Sequence, residues 1–168
     1  MEFGFAVLRV VVGLLIAGHG LQKLSTRLGG IGTDQHAAFL DSLGYRPARA
    51  MAVLHGAVEL GAGLLLALGL ATPLAGALIV AVMINAAVAV HAPNGLWAQN
   101  GGMEYPIVLG VVAAAFTLGG PDAYALDPVV GVQPQPTWAL GALGLGIILG
   151  LVAMASRHLR LSDRRVSA

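Results

Sequence analysis

Apolar residues run along this chain in five blocks, roughly residues 3–24, 48–70, 73–92, 105–119 and 137–156, separated by shorter polar stretches. Crossing a hydrocarbon core of about 30 Å takes around 20 helical residues. Each block therefore reads as a membrane-spanning helix, the fourth being short unless Met103 and Glu104 join its first turn. The first block lacks a basic start, contains Arg9 and ends in HGLQKL, so it reads as a retained span rather than a cleavable signal peptide. In the linker that follows, Thr33 or Asp34 is placed to cap a short helix. Its His36, Phe39, Leu40 and Leu43 follow i, i+3, i+4, i+7 spacing, which predicts an amphipathic helix lying on the membrane surface. Pro47 marks the start of the second span, and Leu70-Ala-Thr-Pro73 reads as a tight hairpin. Residues 120–136 form a proline-rich connection with Asp122 and Asp127 but no Lys or Arg.

The pattern breaks at HAPNGLWAQNGGMEYP, residues 91–106. This stretch holds a His, two Asn, a Gln, a Trp, a Tyr and one acidic residue, Glu104. Pro93 and Pro106 interrupt helix, while Gly95, Gly101 and Gly102 permit unusual backbone angles. We expect a structured, re-entrant or interfacial segment that packs polar groups against the helix ends. Trp97 and Tyr105 read as interfacial belt aromatics.

Composition agrees with the membrane reading. The chain is 57% hydrophobic and 10% charged, against roughly 25% charged in soluble domains. Its 24 glycines among 168 residues suit helices that approach closely in lipid, as does Gly146-x-x-x-Gly150 in the last block, a candidate face for packing within the bundle or for a homo-oligomer. Zero cysteines exclude thiolate catalysis and cysteine-held iron–sulfur clusters within the chain. A net charge of +1 gives no reason to expect a nucleic-acid partner.

Basic residues fall in two groups, Lys23, Arg27, Arg46 and Arg49 in the first linker, and Arg157, Arg160, Arg164 and Arg165 in the tail. Basic loops face the cytoplasm, and an even number of spans separates the two groups. The parity predicts five spans, the N-terminus outside and the C-terminus cytoplasmic. The tail reads as a stop-transfer anchor with some attraction to anionic lipid.

Ionisable residues inside spans are costly, and they are functional candidates by default. In this topology His19, Lys23, His55, His91 and Glu104 reach one half of the bilayer, with Glu59 beside them and Asn85 at mid-depth of the third span. Arg9, about six residues into the first span, needs a partner, and Glu59 is the expected one, as a structural ion pair. Glu59 and Glu104 are the candidate proton-handling groups, and His19, Lys23, His55, His91, Asn94 and Asn100 the candidate ligand-binding ones. His55-x-x-x-Glu59 is a lone pair without the Glu-x-x-His motif of di-iron bundles, so no metal site is assigned. The competing reading is a polar network that only fixes how the helices meet.

Three motifs, LRVVVGLLIAGHGLQKL, VELGAGLLLALGLATPLA and VHAPNGLWAQNGGMEYP, in this order and spacing, resemble the DoxX family of bacterial membrane proteins. The resemblance covers roughly residues 5–127 and carries over Arg9, Gly13, His19, Gly20, Lys23, Glu59, Gly61, His91, Asn94, Gly95, Asn100, Gly101 and Glu104. It implies an all-α membrane protein, a four-helix bundle over residues 1–127, here extended by a connection and a fifth span over 128–156 and a basic cytoplasmic tail over 157–168. It also implies the bacterial cytoplasmic (inner) membrane and links to membrane redox systems and oxidative stress. The expected function is a subunit of a redox complex with a quinone- or proton-handling site in the cytoplasmic half. The alternatives are a scaffold recruiting soluble redox enzymes and a small-solute carrier. No bound cofactor is legible, quinone is the candidate ligand, and the expected partners are the lipid bilayer and soluble redox enzymes.

Overall fold

The structure is a computed structural model that describes residues 2–133 and 135–166, with the side chains of Leu28 and of residues 158–166 excepted. All regular elements among the described residues are helical: α1 (Glu2–Leu24), α2 (Gly32–Ser42), α3 (Ala48–Leu68), α4 (Thr72–Asn85), α5 (Glu104–Gly119) and α6 (Pro136–Val166). The tail residues Arg160, Arg164 and Arg165 lie outside the described side chains. Glu2–Leu24, Ala48–Leu68, Thr72–Asn94 and Pro136–Arg157 are long and apolar enough to cross a membrane, and α5 is a shorter apolar helix of 16 residues.

Two elements differ from expectation. The third block is not one regular helix, because α4 passes at Ala86 into a π-helical turn, Ala86–His91, and then a 3-10 turn, Ala92–Asn94. Neither Thr33 nor Asp34 caps α2; Ile31 stands at the cap position, and the Thr33 hydroxyl donates instead to Leu24 O at the end of α1, 3.2 Å away. That bond satisfies a carbonyl the end of α1 would otherwise leave without a partner. The predicted face of α2 is used in part. His36 and Leu40 are buried against α3, whereas Phe39 is 41% exposed.

The bundle is organised by close backbone approaches. α1 and α3 run antiparallel with glycines paired across the seam. A Cβ built on Gly20 would come within 2.6 Å of Gly56 O, and one on Gly63 within 2.6 Å of Gly13 O. Side chains there would hold the helices apart, which is the physical content of the glycine excess. α4 is the central helix, contacting α3, α5 and α6, and it is apolar around its circumference, mostly buried with Leu74 turned outward. Its Ala75, Ile79 and Met83 meet Ile16, Leu66, Leu109 and Phe116 in the main core. Gly146 of α6 backs directly onto Ala77 O, and Gly150 would place a Cβ 3.1 Å from Ala81 O. The Gly146-x-x-x-Gly150 face is therefore packed inside the bundle on α4.

Candidate functional site

The helix register sorts the polar side chains to the two ends of the bundle. At one end, Arg9 is 2% exposed and every one of its donors is used. Nε donates to Asp122 at 2.7 Å, one terminal nitrogen to Leu66 O and Ala67 O, and the other to Asp122 and Tyr124 O. The two carbonyls belong to the last turn of α3, where helical partners run out. Gly69 ends that turn with φ +65°, and a Cβ there would stand 2.8 Å from the Arg9 guanidinium. Asp127, fully buried, then caps α4 by accepting from Ala71 N and Thr72 N at 2.6 and 2.9 Å. This corrects the expected Arg9–Glu59 pair. Gly20 lies level with Gly56 and Leu60, so Glu59 sits about 16 Å along α1 from Arg9 at 1.5 Å per residue. No arginine side chain covers that distance.

At the other end, Glu59 is 2% exposed and pairs with Lys23 of α1. His55, one turn before it on α3, holds Nε2 3.5 Å from Glu59 Oε1, close but without an aligned hydrogen bond. His55 Nδ1 lies 3.2 Å from Nε2 of His36, which is buried on α2. Four ionisable side chains thus form one string, Lys23–Glu59–His55–His36, drawn from three helices. Of these, Lys23, His55 and Glu59 are legible as candidates from span position alone. His36 is not, because its spacing places it on an ordinary apolar face; the available signal is a histidine within that face on the same side of the membrane as Lys23 and His55.

The other candidates form separate groups. His19 is exposed on α1, with the Tyr105 hydroxyl 3.5 Å from its Nε2 and the rings edge-to-face at 6.1 Å. His91 Nδ1 and Asn94 Nδ2 both bond Gly101 O, at 2.6 and 3.2 Å. Glu104 turns into the same loop and accepts from Ala98 N at 2.9 Å, while Asn100 is exposed. Among the described residues, none of these is bonded to the Lys23–Glu59–His55–His36 string. The single cluster expected from depth divides because the π turn and the loop after it satisfy their own polar groups locally. Asn85 has a third role: it accepts from the Tyr45 hydroxyl at 3.0 Å and donates to Ala81 O and Gly150 O, tying α4 to α6. Arg157 Nε donates to Leu43 O and fastens the end of α6 to the α2–α3 connection.

Burial, helped by the nearby Lys23 charge, lowers the pKa of His36 from its ordinary 6.5 to about 4. The docked imidazole is therefore neutral at pH 7 and shares a hydrogen bond with His55. The groups facing it are His55 from α3 and Lys23 from α1. Released from α3, His36 binds a proton below about 6.5. The released state thus takes up more protons between about 6.5 and 4, and docking weakens as pH falls through that window. Hydrogen exchange across α2, corrected for intrinsic rate, is expected to quicken over that window in the wild type. It is expected to stay flat in His36→Gln; an equal pH response in both would show that His36 is not the titrating group.

An all-helical bundle of apolar helices with ionisable groups sorted to its two ends is an integral membrane protein. Within that class, the DoxX family model matches residues 4–92, more than half of the chain, and the chain belongs to the DoxX family. The matched region holds Arg9 and the whole Lys23–Glu59–His55–His36 string, whereas Asp122 and Asp127 lie beyond it. The chain is also similar to a Bacillus subtilis (strain 168) protein named "Putative oxidoreductase CatD". The two are 33% identical over 129 residues, 77% of this chain and 88% of that protein. No solved structure matches it.

Proposed function

We propose that this chain is the membrane subunit of an oxidoreductase system, and that Lys23, Glu59, His55 and His36 move protons for it. The observation that carries this reading is the continuity of the string. It runs from Lys23 at the end of α1, through buried Glu59, to His36 on the helix outside the spans. With Glu59 as acceptor, His55 carries its proton on Nε2, so Nδ1 accepts from His36 Nε2–H. A proton taken up at His36 can then pass to His55 and on to Glu59 once the 3.5 Å gap closes by a few tenths of an ångström. The Lys23 ammonium balances the Glu59 carboxylate between transfers.

The name of the Bacillus relative supports a redox role, and quinone is the proposed two-electron acceptor. Two surface grooves on the bundle lie elsewhere, one along Val7, Val10 and Leu68 and one along Ala50, Val53 and Leu54. A quinone would accordingly meet the string from the lipid, at the Lys23 side chain, which is 22% exposed. A soluble partner enzyme would supply the electrons. The concentration of Lys23, Arg27, Arg46, Arg49 and Arg157 at one end supports placing that end in the cytoplasm of a bacterial inner membrane. Glu59→Gln keeps the shape and removes the proton acceptor. It is expected to slow protein-dependent quinone reduction in native membranes about a hundredfold with abundance retained; unchanged turnover at equal abundance would overturn the proposal.

A second reading is favoured by the buried Lys23–Glu59 pair, which joins α1 directly to α3. In that reading the protein is a scaffold for soluble redox enzymes, and the Lys23–Glu59 pair only locks α1 to α3. It predicts that Glu59→Gln lowers abundance while turnover per molecule holds.

A further inference from the structure

We infer that the loop between the π turn and α5, residues 92–103, is seated in the lipid headgroup–acyl boundary, with Leu96 and Trp97 as its inserted side chains. The first ground is charge. The twelve residues from Ala92 to Met103 contain no Asp, Glu, Lys, Arg or His, although they connect two helices at the most basic end of the molecule.

The second ground is internal satisfaction of the backbone. Gly95 O accepts from Met103 N at 3.0 Å, Leu96 O from Glu104 N at 2.8 Å, and Trp97 O from Asn100 N and Gly102 N at 3.0 and 3.1 Å. Gly101 O takes His91 and Asn94, and Ala98 N goes to the Glu104 carboxylate. Moving irregular backbone out of water is costly mainly when its polar groups lack partners, and this loop supplies partners for the N–H groups from Asn100 to Glu104 and for the carbonyls of Gly95, Leu96, Trp97 and Gly101. Its two large apolar side chains point outward, Leu96 48% and Trp97 56% exposed, beside the uncharged polar Asn94, Gln99 and Asn100, a mixture suited to the headgroup–acyl boundary.

The third ground is length. The 16 residues of α5 span about 24 Å, some 6 Å less than a typical hydrocarbon core. The connection at the far end of α5 carries Asp122 and Asp127, whereas the loop at its near end carries no charge, so the loop is placed to take up the shortfall at bilayer depth. Tryptophan, with an apolar ring and one N–H donor, is the residue type best suited to that boundary.

The molecule offers a direct readout, since Trp97 and Trp138 are its two tryptophans. Trp138 stands 60% exposed at the start of α6, the opposite end of the bundle, so Trp138→Phe is a mild change. The full chain carrying Trp138→Phe would be reconstituted in phosphatidylcholine vesicles whose acyl chains are brominated near the headgroup. Trp97 is expected to emit to the blue of a water-exposed indole, to lose most of its emission to the brominated lipid, and to resist aqueous iodide. Emission typical of water, quenched by iodide and untouched by bromine, would place the loop in solvent and overturn the inference. Shielding from both quenchers would overturn it as well, by showing that protein covers the ring. If Trp138→Phe fails to fold, the difference between the wild type and Trp97→Phe gives the same signal.

Discussion

Asp122→Ala is expected to destabilise the bundle by about 3–5 kcal/mol, because it leaves the Arg9 guanidinium buried without its counter-charge. Arg9 cannot escape to water. It is 2% exposed, and its remaining bonds hold it to the carbonyls at the end of α3 and to Tyr124 O. The change would appear as a fall in the detergent unfolding midpoint and in membrane abundance. Adding Arg9→Met should return much of the loss, since the costly species is the lone charge. A double variant no better than the single would show that Asp122 matters for another reason, such as its acceptance of Tyr124 N. Burial acts to raise the Asp122 pKa, but the Arg9 hydrogen bond, the Tyr124 N–H and the Arg9 charge outweigh it and leave the net value below 3.8. Its contribution to stability is accordingly complete above the ordinary carboxylate range and disappears as pH falls through the lowered value.

Gly20→Val should be comparably damaging, at about 3 kcal/mol or more, the upper end of what overpacking costs. The added carbon would meet Leu60 N, Gly56 O and Leu60 Cα, all main-chain atoms that cannot rotate away. Relief requires α1 to move off α3, and Lys23 and Glu59, which meet across the same seam, would separate with it. Gly18→Val is the matched control, since a Cβ there meets nothing within 4 Å. We expect Gly18→Val to fold at wild-type yield and Gly20→Val to be depleted. Equal yields would mean that the seam can open at little cost.

The two variants also mark what could be read without coordinates. Arg9 announces itself as a buried charge in need of a partner, and Asp122 is visible in the connection after the fourth block. Nothing local joins them across 113 residues. Glu59 is nearer along the chain and was the expected partner, but α1 and α3 meet through Gly13, Gly20, Gly56 and Gly63, and that register carries Glu59 to Lys23. The same register, with α2 folded back on α3, makes His36 the last member of the string. Glu104 and His91 share its end of the bundle, but the loop holds them on Ala98 N and Gly101 O.

Hydropathy, helix length and residue type act locally. Together they determined that this is an all-helical membrane protein, where its apolar helices lie, and which side chains are too polar for their surroundings, while the order of its three motifs carried the DoxX resemblance. Which of those side chains meet was decided only in the folded bundle. Pairing depends on how far one helix slides along another, and a slide of one turn, about 5.4 Å, exceeds the reach of a hydrogen bond. That slide is set by where glycine lets two backbones touch, a property of both helices at once.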